Sequence, residues 1–459
     1  MLQQNAPGLS YSPIGGRLRY LGILDFGEPE IDQDVDAPIR LWRLTLVAAL
    51  TGALTGCINL GLTLLFHLIT NAAYYLELSL KQASFGMRPG AAWWFLLPAA
   101  GGLAVGLIEK YWSKSVTGGG IAAVQAHALG VEREARPKLV WLKPLAAAIA
   151  IGTGAPLGRE GPTMQAADAA GTTLSPWFGL SRAERRLLIG CAASAAMAAT
   201  YRTAIAAVLV GIEIALFKIR SRALVPLLAS AAAAEAVSLF VLGPGMLVSV
   251  PPIHNYGPPE ALPLYALLGA GCGLLGAGIY HGLDWARRLF NLLRIERPWR
   301  PALAGLAVGI IGLALPLILG TGYATDTQIF YNQLDAGTLG LLLPLKLLAF
   351  VIASGGGMAG GMFSPNFMIG ASLGSLFARG FNAAAPGLRL DPTAFALAGA
   401  GAIFGSASRA PLAFMTLTFE LAGESKAIVP FAVANLVAVW VATLLLEYPL
   451  QARRFLRER

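Results

Sequence analysis

Charge is what this chain has least of. Asp, Glu, Lys and Arg make up 13% of its 459 residues, against about 25% in soluble domains. That scarcity excludes an ordinary water-soluble globule. Cysteine is also scarce. Cys57, Cys191 and Cys272 stand isolated in apolar runs, which excludes a disulfide framework or a thiolate metal site and leaves them as small hydrophobes. The four histidines, His67, His127, His254 and His281, are scattered without a metal-binding spacing, so no metal and no cofactor are expected. No Ser/His/Asp set accompanies any buried acid, so an enzyme is not expected. Alternating segments of about ten residues, the mark of a membrane β-barrel, are missing too. No cleavable signal peptide opens the chain.

What is present is apolar: 56% of the residues, with 54 glycines and 28 prolines. Apolar runs at 42–69, 91–109, 139–155, 162–176, 187–200, 203–217, 222–243, 260–292, 301–320, 339–354, 363–380, 392–406, 409–422 and 427–446 predict an all-α polytopic membrane protein. Several are shorter than the roughly 20 residues that a full crossing needs. The G-x-x-x-G pairs Gly52–Gly56, Gly102–Gly106 and Gly305–Gly309 read as helix-packing sites. Net charge is +9, and basic clusters such as "SRAERR" (181–186), "KIRSR" (218–222) and "ARRFLRER" (452–459) flank the apolar runs. The positive-inside rule assigns these to the cytoplasm. The expected organisation is a cytoplasmic segment 1–40, a membrane domain 41–450 with halves near 41–240 and 260–450, and a short basic tail 451–459. The last apolar run ends about a dozen residues before Arg459, so no soluble C-terminal domain is expected.

The halves repeat each other. "GREGPTMQAADAAG" (158–171) aligns with "GMFSPNFMIGASLG" (361–374) at an offset of 203, matching Gly158 with Gly361 and Pro162 with Pro365. "RTAIAAVLVGIE" (202–213) aligns with "RAPLAFMTLTFE" (409–420) at 207, matching Arg202 with Arg409 and Glu213 with Glu420. Paired halves with Gly/Pro-interrupted segments point to a transporter whose site lies between the repeats.

Three glycine-rich breaks carry the chemistry: "TGGGIA" (117–122), "GREGP" (158–162) and "GGMFSP" (360–365). Each precedes a helix-competent run. Helix starts present free N–H groups and a positive dipole end. Inside a membrane those donors need a partner, and an anion where several helix N-termini converge is one. Glu160 then has a specific use. Its carboxylate competes with a permeating anion for the site, and on protonation it swings away, so it is gate and proton carrier at once. The plainer reading, an Arg159–Glu160 surface pair in a loop, fits poorly with flanking glycines and a following proline. Arg159 has two readings: a charge setting the potential at the site's mouth, or an interfacial anchor. Phe363 likewise reads as an apolar plug or as core packing.

These residues carry a resemblance. The chain resembles the CLC family of chloride channels and chloride/proton antiporters, whose motifs G-S-G-I-P, G-R-E-G-P and G-G-x-F-x-P match "GGGIA", "GREGP" and "GGMFSP" in order and spacing, over roughly 40–450. The resemblance implies the CLC fold, with two inverted-topology repeats whose short and broken helices meet at an anion site. It also implies a homodimer in a lipid bilayer with one pore per subunit, chloride and protons as partners, and a prokaryotic member located in the bacterial inner membrane. By resemblance Glu160 is the gate, and the backbone at Gly119, Gly120, Ile121, Gly158, Arg159, Gly161, Met362 and Phe363 contacts the anion. Three departures stand out. Gly119 replaces the serine that gives the central anion a hydroxyl. Gln451 falls at the family's pore tyrosine, with Tyr448 three residues before it. Ile214 falls at the inner proton glutamate, with Glu213 about 100° away around the helix. These departures leave three alternatives: antiporter, passive channel, or fluoride/proton exporter.

Overall fold

The structure, a computed structural model, describes residues 40–82, 85, 92–128, 137–216, 221–243, 247–253 and 255–446. The segment 1–39, Tyr448, Gln451 and the basic tail lie outside the described residues. Among the described residues there are sixteen α-helices and no strand. The first eight are α1 (Leu41–Thr70), α2 (Leu97–Tyr111), α3 (Ile121–Ala128), α4 (Leu139–Gly152), α5 (Glu160–Leu174), α6 (Arg182–Tyr201), α7 (Ala204–Val210) and α8 (Ser221–Leu242). The second eight are α9 (Leu262–Leu292), α10 (Arg300–Ala314), α11 (Tyr323–Phe330), α12 (Ala336–Gly355), α13 (Phe363–Ala384), α14 (Pro392–Ser408), α15 (Pro411–Ala422) and α16 (Ile428–Leu445). A π-turn, Gly211–Leu216, continues α7. Among the described residues, five stretches are long and apolar enough to cross a membrane: Leu41–Tyr75, Ser221–Leu242, Leu262–Leu292, Ala336–Gly355 and Ser425–Leu445.

The two sets of eight correspond in order, and the packing between equivalents is reciprocal. Gly102 and Gly106 of α2 sit where a Cβ would strike the carbonyls of Pro301 and Pro298, and Gly305 and Gly309 of α10 sit likewise against Pro98 and Phe95. As the number rises on one helix it falls on the other. Equivalent helices therefore run antiparallel, which is inverted topology. The glycines let the backbones approach to carbonyl contact. Gly52 and Gly56 do the same for α1 against Ser230 and Ala234 of α8.

Polar side chains repeat the symmetry. Glu213 accepts from the Leu412 and Ala413 amides at 3.2 and 2.8 Å, and Glu420 accepts from those of Ile205 and Ala206 at 3.1 and 2.8 Å. Each carboxylate thus caps the start of the other half's short helix, where orphan amides and the positive dipole end favour an anion. Arg202 and Arg409 terminate α6 and α14 in the left-handed conformation, with φ 57° and 54°. Their guanidinium groups donate to Gly243 and Leu446 carbonyls, just past α8 and α16.

Two elements were not legible as apolar runs. α3 and α11 have eight residues each, too short for a periodic signal. One boundary also moves. α5 begins at Glu160, two residues before the run at 162–176, so Pro162 is the third helical residue. That position tolerates proline because its amide has no partner inside the helix.

Candidate functional site

The three glycine breaks meet at one junction. Gly158 N donates to Gly361 O at 2.8 Å and Gly361 N to Gly158 O at 2.5 Å, while Gly360 N reaches Gly118 O at 3.5 Å. Gly120 is obligatory there. Its φ is +84°, and a Cβ would run into the Gly161 carbonyl and come within 3.2 Å of Pro162 N. Gly119 differs, since a Cβ would meet Gly360 O at 3.5 Å, an ordinary contact.

From this junction α3, α5 and α13 begin, so Gly119, Gly120, Ile121, Gly158, Arg159, Gly161, Met362 and Phe363 are brought together. Arg159 and Met362 are the N-caps of α5 and α13, and neither has a side-chain cap. First-turn amides of these helices have no partner within the helix. The Gly158 amide is engaged by Gly361. Glu213 and Ile214 are on the π-turn, and Ile214 is fully buried.

Glu160 is the first residue of α5 and fully buried. Its Oε1 accepts from the Tyr201 hydroxyl at 3.1 Å and also from the Tyr323 hydroxyl. Its Oε2 has no hydrogen-bond partner. Gly158 clears the space: a Cβ there would strike Glu160 Oε2 and approach Ser364 N at 3.0 Å and Ser364 Oγ at 3.1 Å. Ser364 Oγ is itself buried without a partner. The carboxylate therefore lies beside the start of α13, with two phenols on one oxygen and an unpartnered hydroxyl near the other.

The tyrosines come from opposite halves. Tyr201 ends α6 and Tyr323 opens α11, their rings edge-on at 6.2 Å. Tyr323 stands on a fourth break, "LGTGYATD" (319–326), where Gly322 has φ +89° just as Gly120 precedes α3 with +84°. Motif reading passed over both tyrosines. The repeat was the available signal: a break at 117–122 implies one near 320–324.

Buried lysines hold both breaks. Lys143 Nζ donates to the carbonyls of Val116, Thr117 and Gly118 at 2.9, 3.2 and 2.7 Å, and Lys346 Nζ to those of Ile318 and Gly320 at 2.8 and 2.9 Å. They too are 203 residues apart. Each Nζ satisfies carbonyls that the turn leaves unpaired.

Arg159 is buried rather than interfacial. It donates to Thr63 Oγ1 and stacks over the Tyr323 ring at 5.6 Å. Arg159, Arg202, Thr63, His67, Thr321 and Tyr323 line a cavity of about 310 Å³. Thr63 and His67 lie near the C-terminal end of α1. The N-terminal end, at Arg40, is tied to Glu184 in the "SRAERR" cluster by a 3.0 Å bond. The cavity is therefore on the face opposite that cluster, and Tyr323 stands between it and Glu160. Phe363, the repeat equivalent of Glu160, is fully buried against Phe404 and Phe414, with centroids at 4.3 and 5.8 Å.

A family model described as voltage gated chloride channel matches residues 101–443. The chain is 30% identical over 389 residues to a putative chloride channel protein ClcB-like of Ralstonia nicotianae, covering 83% of this chain and 90% of that one. It is 28% identical to the voltage-gated ClC-type chloride channel ClcB of Escherichia coli, covering 78% and 86%. Among solved structures it is similar to a slow cyanobacterial Cl−/H+ antiporter, with 26% identity, TM-score 0.80, and 91% and 98% of the chains covered. A CLC-type fluoride/proton antiporter shares the fold at 22% identity and TM-score 0.75, covering 90% and 98%.

Proposed function

Because the chain belongs to the voltage-gated chloride channel (CLC) family, and is thus an integral membrane protein of chloride transport, we propose that it exchanges chloride for protons across a bacterial inner membrane as a homodimer. The observation that carries this reading is Glu160, a buried carboxylate at a helix N-terminus on the junction of three glycine breaks. Helix starts at membrane depth favour an anion. Ionisable groups there are costly and mostly functional. A carboxylate in that position excludes the permeating anion, and protonation releases it. Backbone amides at the starts of α3, α5 and α13 receive the anion, and the Ser364, Tyr201 and Tyr323 hydroxyls supply donors where the family serine is Gly119. We read this donor set as serving transport rather than a covalent reaction.

The test is reconstitution of the purified protein in liposomes under an imposed chloride gradient. Uphill proton movement is expected, and Glu160→Gln abolishes it while chloride still flows. Chloride flux without proton movement in the wild type rejects antiport. Buried Ile214 at the inner position favours that second reading, a passive chloride pathway. Efflux compared among fluoride, chloride and nitrate separates the fluoride-exporter alternative.

A further inference from the structure

Among the described residues, the inner half of the protein holds a part-buried histidine–aspartate pair that the mechanism above does not use. His127 Nδ1 lies 2.8 Å from Asp168 Oδ2 and 3.0 Å from Oδ1, with side-chain exposures of 16% and 4%. His127 is in the last turn of α3 and Asp168 in the third turn of α5. Both helices start at the glycine junction and run together away from it. At about 1.5 Å per residue, His127 is about 9 Å and Asp168 about 12 Å along its helix from that junction. Glu160, Met164 and Asp168 are spaced i, i+4, i+8 and share one stripe of α5. Gln165, one turn before Asp168, has a buried Oε1 without a partner.

The pair's place is also defined by charge. α5 leads into Ser181–Arg186, the basic cluster assigned to the cytoplasm, and the outer cavity is at the other end of α1. His127 and Asp168 therefore lie on the cytoplasmic side of Glu160. α3 packs on the π-turn that carries Ile214. The pair thus stands beside the position where an inner acid was expected, and the neighbouring Glu213 is engaged by two amides. Several other titratable groups on helices packed against α5 have partners elsewhere. Lys143 holds the loop carbonyls, Glu184 caps α6, Arg43 donates to Phe178 O, Arg185 to Leu180 O, and Tyr201 to Glu160.

We infer that His127 and Asp168 form the inner proton-loading station of this transporter, an inference that rests on the antiport reading. His127, the more exposed partner, takes a proton from cytoplasmic water as imidazolium. Asp168 stabilises that charge in a buried setting. The proton then passes along the shared α3–α5 face to the Glu160 carboxylate, and the imidazole returns to neutral. The other half of the repeat has no such pair. At the 202-residue offset that pairs Gly120 with Gly322, His127 corresponds to Ile329, and at 203 Asp168 corresponds to Ala371, both fully buried, so the scaffold packs without it.

The test is His127→Asn, which keeps an N–H donor at the Nδ1 position for Asp168 but cannot carry a proton, with Asp168→Asn beside it. Proton and chloride fluxes are read separately in liposomes. Expected is a loss of proton uptake of about 100-fold, with chloride efflux within about threefold of wild type and, for what remains, no dependence on inner pH across about pH 5–8. Proton uptake at the wild-type ratio in both variants overturns this inference alone. Loss of chloride efflux in both variants also overturns it, because it marks the pair as structural. A wild type that moves no protons overturns the antiport reading, and this inference with it.

Discussion

Removing the Tyr323 hydroxyl isolates what holds the gate. In Tyr323→Phe the ring and its stacking with Arg159 remain, and Glu160 Oε1 keeps only the Tyr201 hydroxyl at 3.1 Å. A hydrogen bond to a charged acceptor contributes about 1.5–3 kcal/mol. Taking about 2 kcal/mol, the balance between a held and a released carboxylate shifts about 30-fold toward release. For a gate released about 1% of the time, that raises the released fraction to about a quarter. Chloride efflux from liposomes is then expected to rise about 20-fold, with coupling to protons loosened. Tyr201→Phe acts in the same direction. The two effects are not additive, because both hydroxyls serve one oxygen and the other, Oε2, has no partner to compensate. The control is Glu160→Gln, where no charge is left to hold and Tyr323→Phe is expected to add little. Unchanged or slower efflux in a folded Tyr323→Phe, or an equal rise in the Glu160→Gln background, refutes the reasoning.

Other perturbations follow from the same geometry. Gly119→Ser fits, since a Cβ there makes only ordinary contacts, and its hydroxyl is expected to tighten chloride binding about fivefold by calorimetry; unchanged affinity means the anion does not sit at this break. Lys346→Met leaves the Ile318 and Gly320 carbonyls buried without a donor. It is expected to lower stability by about 2–4 kcal/mol in detergent unfolding, and Lys143→Met by a similar amount, while a neutral result for either rejects their role in holding the breaks. Glu213→Gln and Glu420→Gln each weaken a charge-assisted helix cap, with matching losses of about 1 kcal/mol. Selective loss of proton coupling in Glu213→Gln contradicts its assignment to the scaffold.

Legibility in the sequence followed the physics of each feature. Long apolar runs and G-x-x-x-G pairs were readable because burial in lipid demands composition over many residues. The junction was readable because only glycine permits its close approaches. α3 and α11 were not, being eight residues each. Tyr201 and Tyr323 were not, because a side chain's partner across 163 residues leaves no local spacing, as the Tyr323–Glu160 bond shows. The His127–Asp168 pair failed for the same reason: scattered histidines give no pattern until a fold places one 2.8 Å from an acid. Lys143 and Lys346 were within reach through the 203-residue offset, had buried charges been compared between the halves.

That comparison separates scaffold from function. The charges that support the fold come in twins doing the same work: Lys143 with Lys346, Glu213 with Glu420, Arg202 with Arg409. Carried across the repeat, five other titratable or charged residues, all but His127 buried, meet apolar partners. Arg159 corresponds to Met362, Glu160 to Phe363, His127 to Ile329, Asp168 to Ala371 and Asp326 to Val124. Buried charge is costly without compensation. A two-fold scaffold that packs well with an apolar residue at each of these places has no structural need for the charge. Under the antiport reading, these unmatched groups are the ones left to bind and move ions. Asp326 belongs with this set: it is fully buried one turn from Tyr323, and both its oxygens lack a hydrogen bond. The unmatched charges thus fall to either side of Glu160: Arg159 stacks on Tyr323 and Asp326 lies one turn from it, while Asp168 and His127 lie farther along α5 and α3.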